Sequence, residues 1–164
     1  MINPKNHSSE SGADSPKTTR KQSHAFWRLF WLSFLVLSLA YAWYSFYVPS
    51  NKVSWSYDME QAQKLAEESD KKMMLFFTGE WCVPCRIMKR EVFSDKEVLK
   101  LINDELVPVL IDIDEAKWKK YVKLYNIGTT PITIFTDGEG NVIDYAVGKI
   151  NKEKFVKMVQ ALST

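Results

Sequence analysis

The sequence is poor in the side chains that bind metals: only two of its 164 residues are cysteine and two are histidine. Protein zinc sites take four ligands, usually cysteine and histidine. His7 and His24 precede a long apolar stretch and Cys82 and Cys85 follow it, so a membrane between them would keep the two pairs apart. Covalent haem attachment needs a histidine directly after the second cysteine, and Arg86 stands there. We therefore expect no metal site, no haem and no cofactor.

Positive charge is scarce beyond the amino-terminal segment. The formal net charge is +2, and the first 28 residues hold five basic side chains against two acidic ones. The remainder therefore carries seventeen basic against eighteen acidic side chains. Binding to a phosphate backbone depends on a basic surface. The sequence predicts no nucleic-acid partner.

Charge is absent altogether from Leu29 to Val48, twenty residues that are mostly large and apolar. At ~1.5 Å per residue a helix of this length spans roughly 30 Å, the thickness of the hydrocarbon core of a bilayer. Aromatic residues flank the stretch at both ends, as they do at membrane interfaces: Trp27, Trp31, Trp43, Tyr44 and Tyr47. We predict a single transmembrane helix over residues 26–48.

Two other readings of this stretch are possible. A buried core helix would show a polar face, and only three serines interrupt the apolar residues here. A cleaved signal peptide would use the small residues of Ala40-Tyr41-Ala42, releasing a secreted protein after cleavage near Ala42. The long amino-terminal region and the bulky aromatic residues beyond Ala42 favour an uncleaved anchor.

The segments beside the predicted span indicate its orientation. Residues 1–25 have no bulky apolar side chain after Ile2, which predicts a disordered tail. Four basic residues lie close before the span and only Lys52 lies close after it, so the tail is expected in the cytoplasm. Residues 49–54 then form a linker, and residues 55–164 a domain outside the cytoplasm, periplasmic if the cell has an outer membrane.

Residues 55–164 alternate between strand and helix patterns. Apolar runs predict strands over 73–77, 106–114, 132–135 and 142–147, and the last two form an antiparallel hairpin across a glycine-containing turn. Helices are predicted over 58–69, 82–92, 118–125, 152–162 and from Ser94 onwards, with Asp58 and Ser94 as N-caps. In the first of them, four residues are expected to face inward: Met59, Ala62, Leu65 and Ala66. This order predicts an α/β domain with a mixed sheet covered on both faces.

Both cysteines lie in Glu80-Trp81-Cys82-Val83-Pro84-Cys85-Arg86. A permanent disulfide closing so short a loop stabilises a fold by roughly 2 kcal/mol, less than a longer loop would give. A redox dithiol makes better use of the spacing. At the start of a helix, Cys82 faces the positive end of the dipole, which favours its thiolate, and Cys85 follows one turn later within disulfide reach. Pro84 suits the first helical turn, where its missing N–H would have no partner.

These residues resemble the thioredoxin superfamily. Its active-site motif is matched by the WCVPC stretch after a buried strand, its cis-proline element by Thr130-Pro131 before the hairpin, and a further family glycine by Gly148. The resemblance covers residues 55–164. The stretch FTGEWCVPCRIMKREVFSD is similar to the extracytoplasmic thioredoxin-like domain at the carboxyl end of DsbD-type thiol:disulfide interchange proteins.

The resemblance implies a thioredoxin fold and a role for each matched residue. Cys82 would attack the substrate disulfide, and Cys85 would resolve the mixed disulfide. The two cysteines would then form a redox-active disulfide. Pro131 would be cis beside it, the Thr130 backbone would pair with an extended substrate segment, and Trp81 would flank the site. The implied partners are disulfide-containing substrate proteins and a second redox protein.

One feature departs from the family pattern. Thioredoxins usually carry a buried aspartate six residues before the first cysteine, often with a lysine on the next strand, and these positions are Phe76 and Leu110 here. The usual proton acceptor for Cys85 is therefore missing. Glu80 is the nearest acid in sequence and is a candidate substitute, directly or through water. The alternative interpretation of Glu80 is a solvated surface carboxylate.

The function predicted from the sequence is a membrane-anchored, extracytoplasmic thiol:disulfide oxidoreductase, a reductase or electron relay. A thiol oxidase is the alternative within the same class. A non-catalytic module that binds peptides beside a permanently closed disulfide is the alternative of another class.

Overall fold

The computed structural model describes residues 20–47 and 52–162. Contacts divide the described residues into two compact units, one that ends at Ser45 and one that begins at Phe46. The predicted disordered tail falls mostly on residues outside the described ranges, as does part of the predicted linker.

The amino-terminal helix, α1 (Arg20–Phe46), begins six residues before the predicted span. Arg20 to Ala25, predicted as the end of the disordered tail, are therefore helical instead. Their sequence includes no helix breaker, so the helix extends through them. The apolar part, Ala25–Phe46, has a mean hydropathy of 1.6, and none of its residues is buried. It is a candidate membrane span by length and composition.

The second unit is a four-stranded sheet with helices packed against it. Its strands are β1 (Lys72–Thr78), β2 (Leu106–Asp112), β3 (Ile132–Thr136) and β4 (Val142–Val147). Its α-helices within the described residues are α2 (Met59–Ser69), α3 (Val83–Glu91), α4 (Lys96–Glu105), α5 (Lys119–Leu124) and α6 (Lys152–Leu162). A one-turn 3₁₀ helix, Ala116–Trp118, leads into α5.

The sheet order is β2-β1-β3-β4, with β2 parallel to β1 and both β3 and β4 antiparallel to their neighbours. Side chains of β1 alternate between two cores: Met74 and Phe76 pack with α3, α4 and α6, whereas Leu75 and Phe77 pack with α2 and the Trp118 region. Because both faces are covered, six of the seven β1 residues are buried. The predicted mixed sheet with helices on both sides is confirmed.

The structure corrects one inward position on α2. Asp58 caps this helix as predicted, accepting a hydrogen bond from the Gln61 N–H at 2.8 Å. Leu65, however, is 51% exposed. At ~100° per residue it lies roughly 90° from the centre of the buried face, which Met59, Ala62 and Ala66 define.

The N-cap predicted for α4 was also wrong by one residue. Asp95, rather than Ser94, accepts hydrogen bonds from the N–H groups of Glu97 and Val98, at 3.0 and 3.3 Å. The Ser94 hydroxyl instead donates to the Lys89 carbonyl near the end of α3, at 2.8 Å. A carboxylate is the stronger acceptor for the unpaired N–H groups of the first turn.

Strand β2 ends two residues before its predicted end at residue 114. The Asp112 carboxylate accepts a hydrogen bond from the Asp114 N–H at 3.0 Å, which forms a local turn and ends the strand.

Candidate active site

The two cysteines lie where β1 passes into α3. Cys82 is the N-cap of α3, with extended backbone angles of φ −75° and ψ 92°. Its N–H donates to the Gly79 carbonyl at 3.2 Å, and its carbonyl accepts from the Arg86 N–H at 3.1 Å. The chain therefore turns at the end of the central strand and presents Cys82 at the amino end of a nine-residue helix.

Cys82 and Cys85 form a disulfide, with their Cα atoms 5.2 Å apart. The Cys82 sulfur also accepts a hydrogen bond from the Cys85 N–H at 3.2 Å. Pro84 occupies the first turn, where no N–H is required. The helix that the sequence predicts from Cys82 is thus present, with the sulfur as its capping acceptor.

The two sulfurs differ in access. Cys85 is 1% exposed and belongs to the core formed with Phe76 and Met88, whereas Cys82 is only partly buried at the edge of that core. An incoming thiolate or disulfide therefore reaches Cys82 first.

The surface around Cys82 is apolar. Trp81 is 77% exposed and Val83 is 48% exposed. Exposed apolar side chains therefore flank the accessible sulfur on both sides, a feature typical of surfaces that contact other molecules.

Thr130 and Pro131 come to the same end of the sheet. The peptide bond between them is cis, as the resemblance implies. In the register of β1 with β3, Phe77 lies opposite Ile132, so Thr130-Pro131 lies at the end of β1, from which the chain continues to Cys82. The Pro131 carbonyl accepts a hydrogen bond from the Gly148 N–H at 2.8 Å. Gly148 has φ +81°, a backbone conformation that glycine adopts without strain.

Phe76 and Leu110, the residues predicted to replace the aspartate and lysine of thioredoxins, lie opposite each other on β1 and β2. Phe76 is fully buried and packs edge-to-face against Phe93, with ring centroids 5.0 Å apart. An aromatic cluster therefore occupies the place where thioredoxins usually hold a carboxylate.

Glu80 is held by its backbone, and its side chain is exposed. Its N–H donates to the Asp114 carboxylate and its carbonyl accepts from the Arg86 guanidinium, both at 3.2 Å. The position beside the motif is fixed, and the carboxylate itself faces solvent.

Two charged residues near the site, Lys89 and Asp112, were not among those predicted from the sequence. The Lys89 ammonium lies 5.9 Å from the centre of the Phe76 ring. Burial lowers the pKa of Lys89, and the Asp112 carboxylate opposes this by raising it. The signal was present in the sequence, because a residue four positions after Cys85 lies on the same side of a helix.

The motif residues are not arranged as a metal site. Across residues 20–47 and 52–162, no three histidine, cysteine, aspartate or glutamate side chains are grouped so that they could hold an ion.

Comparison with known sequences places the second unit in a family. The sequence profile of the thioredoxin-like domain matches residues 59–163. The thiol:disulfide interchange protein TxlA of Synechococcus elongatus is 28% identical over 116 residues, 70% of this chain and 59% of that protein. The thiol:disulfide interchange protein DsbD of Ralstonia nicotianae is 31% identical over 85 residues, 51% of this chain and 14% of that protein. The matches thus span less than two thirds of either relative.

Comparison with solved structures agrees on the fold. The carboxyl-terminal domain of Neisseria meningitidis DsbD, in its oxidised form, superposes with a TM-score of 0.56 at 18% identity. The superposition covers 66% of this chain and 98% of that domain. With the profile match over most of the chain, the conclusion is that this protein belongs to the thioredoxin-like domain family and has the thioredoxin fold.

Proposed function

We propose that the protein is a thiol:disulfide oxidoreductase that acts on protein disulfides as a reductase or electron relay. The observation that carries this proposal is the asymmetry of the two sulfurs: Cys82 is accessible at a helix amino terminus and Cys85 is buried one turn later. Names of relatives give further support, since TxlA and DsbD are both thiol:disulfide interchange proteins.

In the reduced protein, the Cys82 thiolate attacks one sulfur of a substrate disulfide. The substrate S–S bond breaks, its other sulfur leaves as a thiolate that takes up a proton, and a mixed disulfide with Cys82 forms. Cys85 then loses its proton and attacks the Cys82 sulfur. The Cys82–Cys85 bond closes, and the second substrate sulfur leaves and is protonated. Two electrons and two protons have passed to the substrate, and a partner dithiol protein restores the reduced form.

The substrate polypeptide binds beside the sulfurs. Trp81 and Val83 supply apolar contact area, and the Thr130 backbone, before the buried Pro131, pairs with an extended segment of the substrate. These groups bring a substrate disulfide to Cys82 without a cofactor.

We further propose that residues 26–48 anchor the protein in the cell membrane. The tail of residues 1–25 then lies in the cytoplasm, and the linker of residues 49–54 leads to the thioredoxin-like domain of residues 55–164 outside it. Support comes from the exposed apolar part of α1 and from the basic residues that precede it.

The activity is tested by the reduction of insulin with dithiothreitol. We expect wild-type protein to accelerate the reaction and Cys82→Ser to return it to the rate with dithiothreitol alone. Cys85→Ser is the matched variant: it retains the attacking sulfur and is expected to accumulate mixed disulfides with insulin. Equal activity of the wild type and Cys82→Ser would contradict catalysis and favour the peptide-binding alternative.

A further inference from the structure

A positive charge lies one helical turn after Cys85 on α3, over the ring of a core aromatic residue. Cys85 and Lys89 are four residues apart, so their Cβ atoms lie about 5–6 Å apart on one side of the helix. Cys85 is 1% exposed, and the Lys89 ammonium reaches over the ring of the fully buried Phe76, 5.9 Å from its centre. Lys89 thus holds its charge against the core that contains Cys85 rather than extending into solvent.

Two arginines on the same helix make other contacts, and the carboxylate that attracts this ammonium does not outweigh its burial. On α3, Arg86 binds the Glu80 carbonyl and Arg90 pairs with the Glu91 carboxylate. Strand β1 contributes the uncharged Phe76. Asp112 at the end of β2 attracts Lys89, but the burial of Lys89 outweighs that attraction in lowering its pKa.

A partly buried ammonium costs desolvation energy unless something offsets that cost. A thiolate on the same helix provides an offset, because two opposite charges attract more strongly away from bulk water. In the position where thioredoxins hold a carboxylate, which disfavours a thiolate, this chain holds an aromatic ring with a cation over it.

We propose that Lys89 is a positioning residue that stabilises the thiolate form of the Cys82–Cys85 dithiol. The inference rests on the proposed function for its purpose, since thiolate is the attacking form. Stabilising the thiolate also favours the dithiol over the disulfide, so Lys89 makes the disulfide easier to reduce.

The test is a pH titration of the reduced, full-length protein in detergent micelles, followed by thiolate absorbance and by the rate of Cys82 alkylation with iodoacetamide. We expect Lys89→Met to raise the titration midpoint by about one pH unit, roughly a tenfold loss of thiolate at pH 7. The same variant should be about tenfold easier to oxidise in a glutathione buffer. Lys89→Arg, which keeps the charge, should titrate close to the wild type.

Lys100→Met is the matched control, because Lys100 is an exposed lysine on α4. It removes the same charge from the whole protein and should leave the midpoint unchanged. An unshifted midpoint for Lys89→Met, or an equal shift for Lys100→Met, would overturn the proposal. If Lys89→Met does not fold, Lys89→Gln removes the charge while keeping a polar end, and the same two outcomes decide.

This test separates the inference from the proposed function. The titration requires only the reduced dithiol and no turnover. A wild-type protein that fails to reduce insulin while Lys89→Met shifts the midpoint would contradict the function and leave the inference standing. A wild-type protein that reduces insulin, together with an unshifted Lys89→Met midpoint, would support the proposed function and contradict the inference.

Discussion

At the residue scale, Cys85 lacks the buried negative charge that usually lies near the second cysteine in the thioredoxins that the sequence resembles. The place of the usual buried carboxylate belongs to Phe76, which packs against Phe93 with ring centroids 5.0 Å apart. Leu110, opposite Phe76, stands where thioredoxins often have the lysine that pairs with that carboxylate. Losing both together avoids an unpaired buried charge. The proton of Cys85 must therefore leave by another route.

Glu80 is the predicted route. Its backbone is fixed by Asp114 and Arg86, so Glu80→Gln should leave the loop in place and change only the acid–base group. If Glu80 accepts the Cys85 proton through water, resolution of a mixed disulfide should slow by up to about 10²-fold, with an altered pH profile. Stopped-flow release of a thiol from a preformed mixed disulfide measures this step.

The control for this variant is Glu153→Gln, an exposed acid in the first turn of α6. It should retain the wild-type profile. If Glu80→Gln retains that profile as well, Glu80 has no part in the proton transfer.

At the scale of elements, ion pairs connect helices α4 and α6. The Asp95 carboxylate caps α4 and also accepts from the Lys152 ammonium of α6 at 2.9 Å, and Glu97 accepts from the same ammonium at 2.8 Å. The hydrogen bond from Lys152 is the main reason why the pKa of Asp95 lies below its usual value. The two carboxylates, Glu97 first, raise the pKa of Lys152 to about 12.

Asp95→Ala should therefore lower the free energy of unfolding at pH 7 by more than Asp58→Ala. The latter loses chiefly a cap, which costs about 1 kcal/mol. Because the folded pKa of Asp95 is depressed, its ion-pair contribution is present above the unfolded value of 3.8 and is lost as the pH falls through the folded value. Urea unfolding at pH 7 and pH 3 measures both quantities.

Asp95→Asn separates the two roles, since asparagine caps as well as aspartate but carries no charge. We expect it to lie between the wild type and Asp95→Ala at pH 7. Equal stability of Asp95→Asn and Asp95→Ala would mean that the cap contributes nothing.

At the scale of the whole molecule, the proposed anchor and the redox domain make a joint prediction. In bacterial cells expressing the full chain, the protein should sediment with membranes, and a membrane-impermeant maleimide should label reduced Cys82 in intact spheroplasts. Acid quenching followed by alkylation should find the dithiol mostly reduced, because a reductase or relay outside the cytoplasm must receive electrons.

Three other results would each contradict part of this proposal. Labelling only after lysis would place the domain in the cytoplasm, and a shortened, soluble product would indicate cleavage near Ala42. A mostly oxidised pair would favour a thiol oxidase or a static disulfide, which the Cys82→Ser activity test would distinguish.

The amino-acid sequence by itself determined which elements form and where the cysteines lie along them. The strand and helix periods, the Asp58 cap and the spacing of Cys82 and Cys85 are local features, read within one or two turns of chain. Errors arose where two local signals competed: Ser94 and Asp95 both suit a helix start, and the carboxylate made the better acceptor.

Only the tertiary structure decided what surrounds the sulfurs. The burial of Cys85, the position of Thr130-Pro131 at the end of β1 and the pairing of Phe76 with Leu110 depend on register between strands tens of residues apart. The contacts of Lys89 likewise depend on the tertiary structure. Its spacing from Cys85 can be read in the sequence, but its approach to Phe76 and its attraction to Asp112 exist only once α3 packs on the sheet, because burial and charge separation are properties of the packed chain.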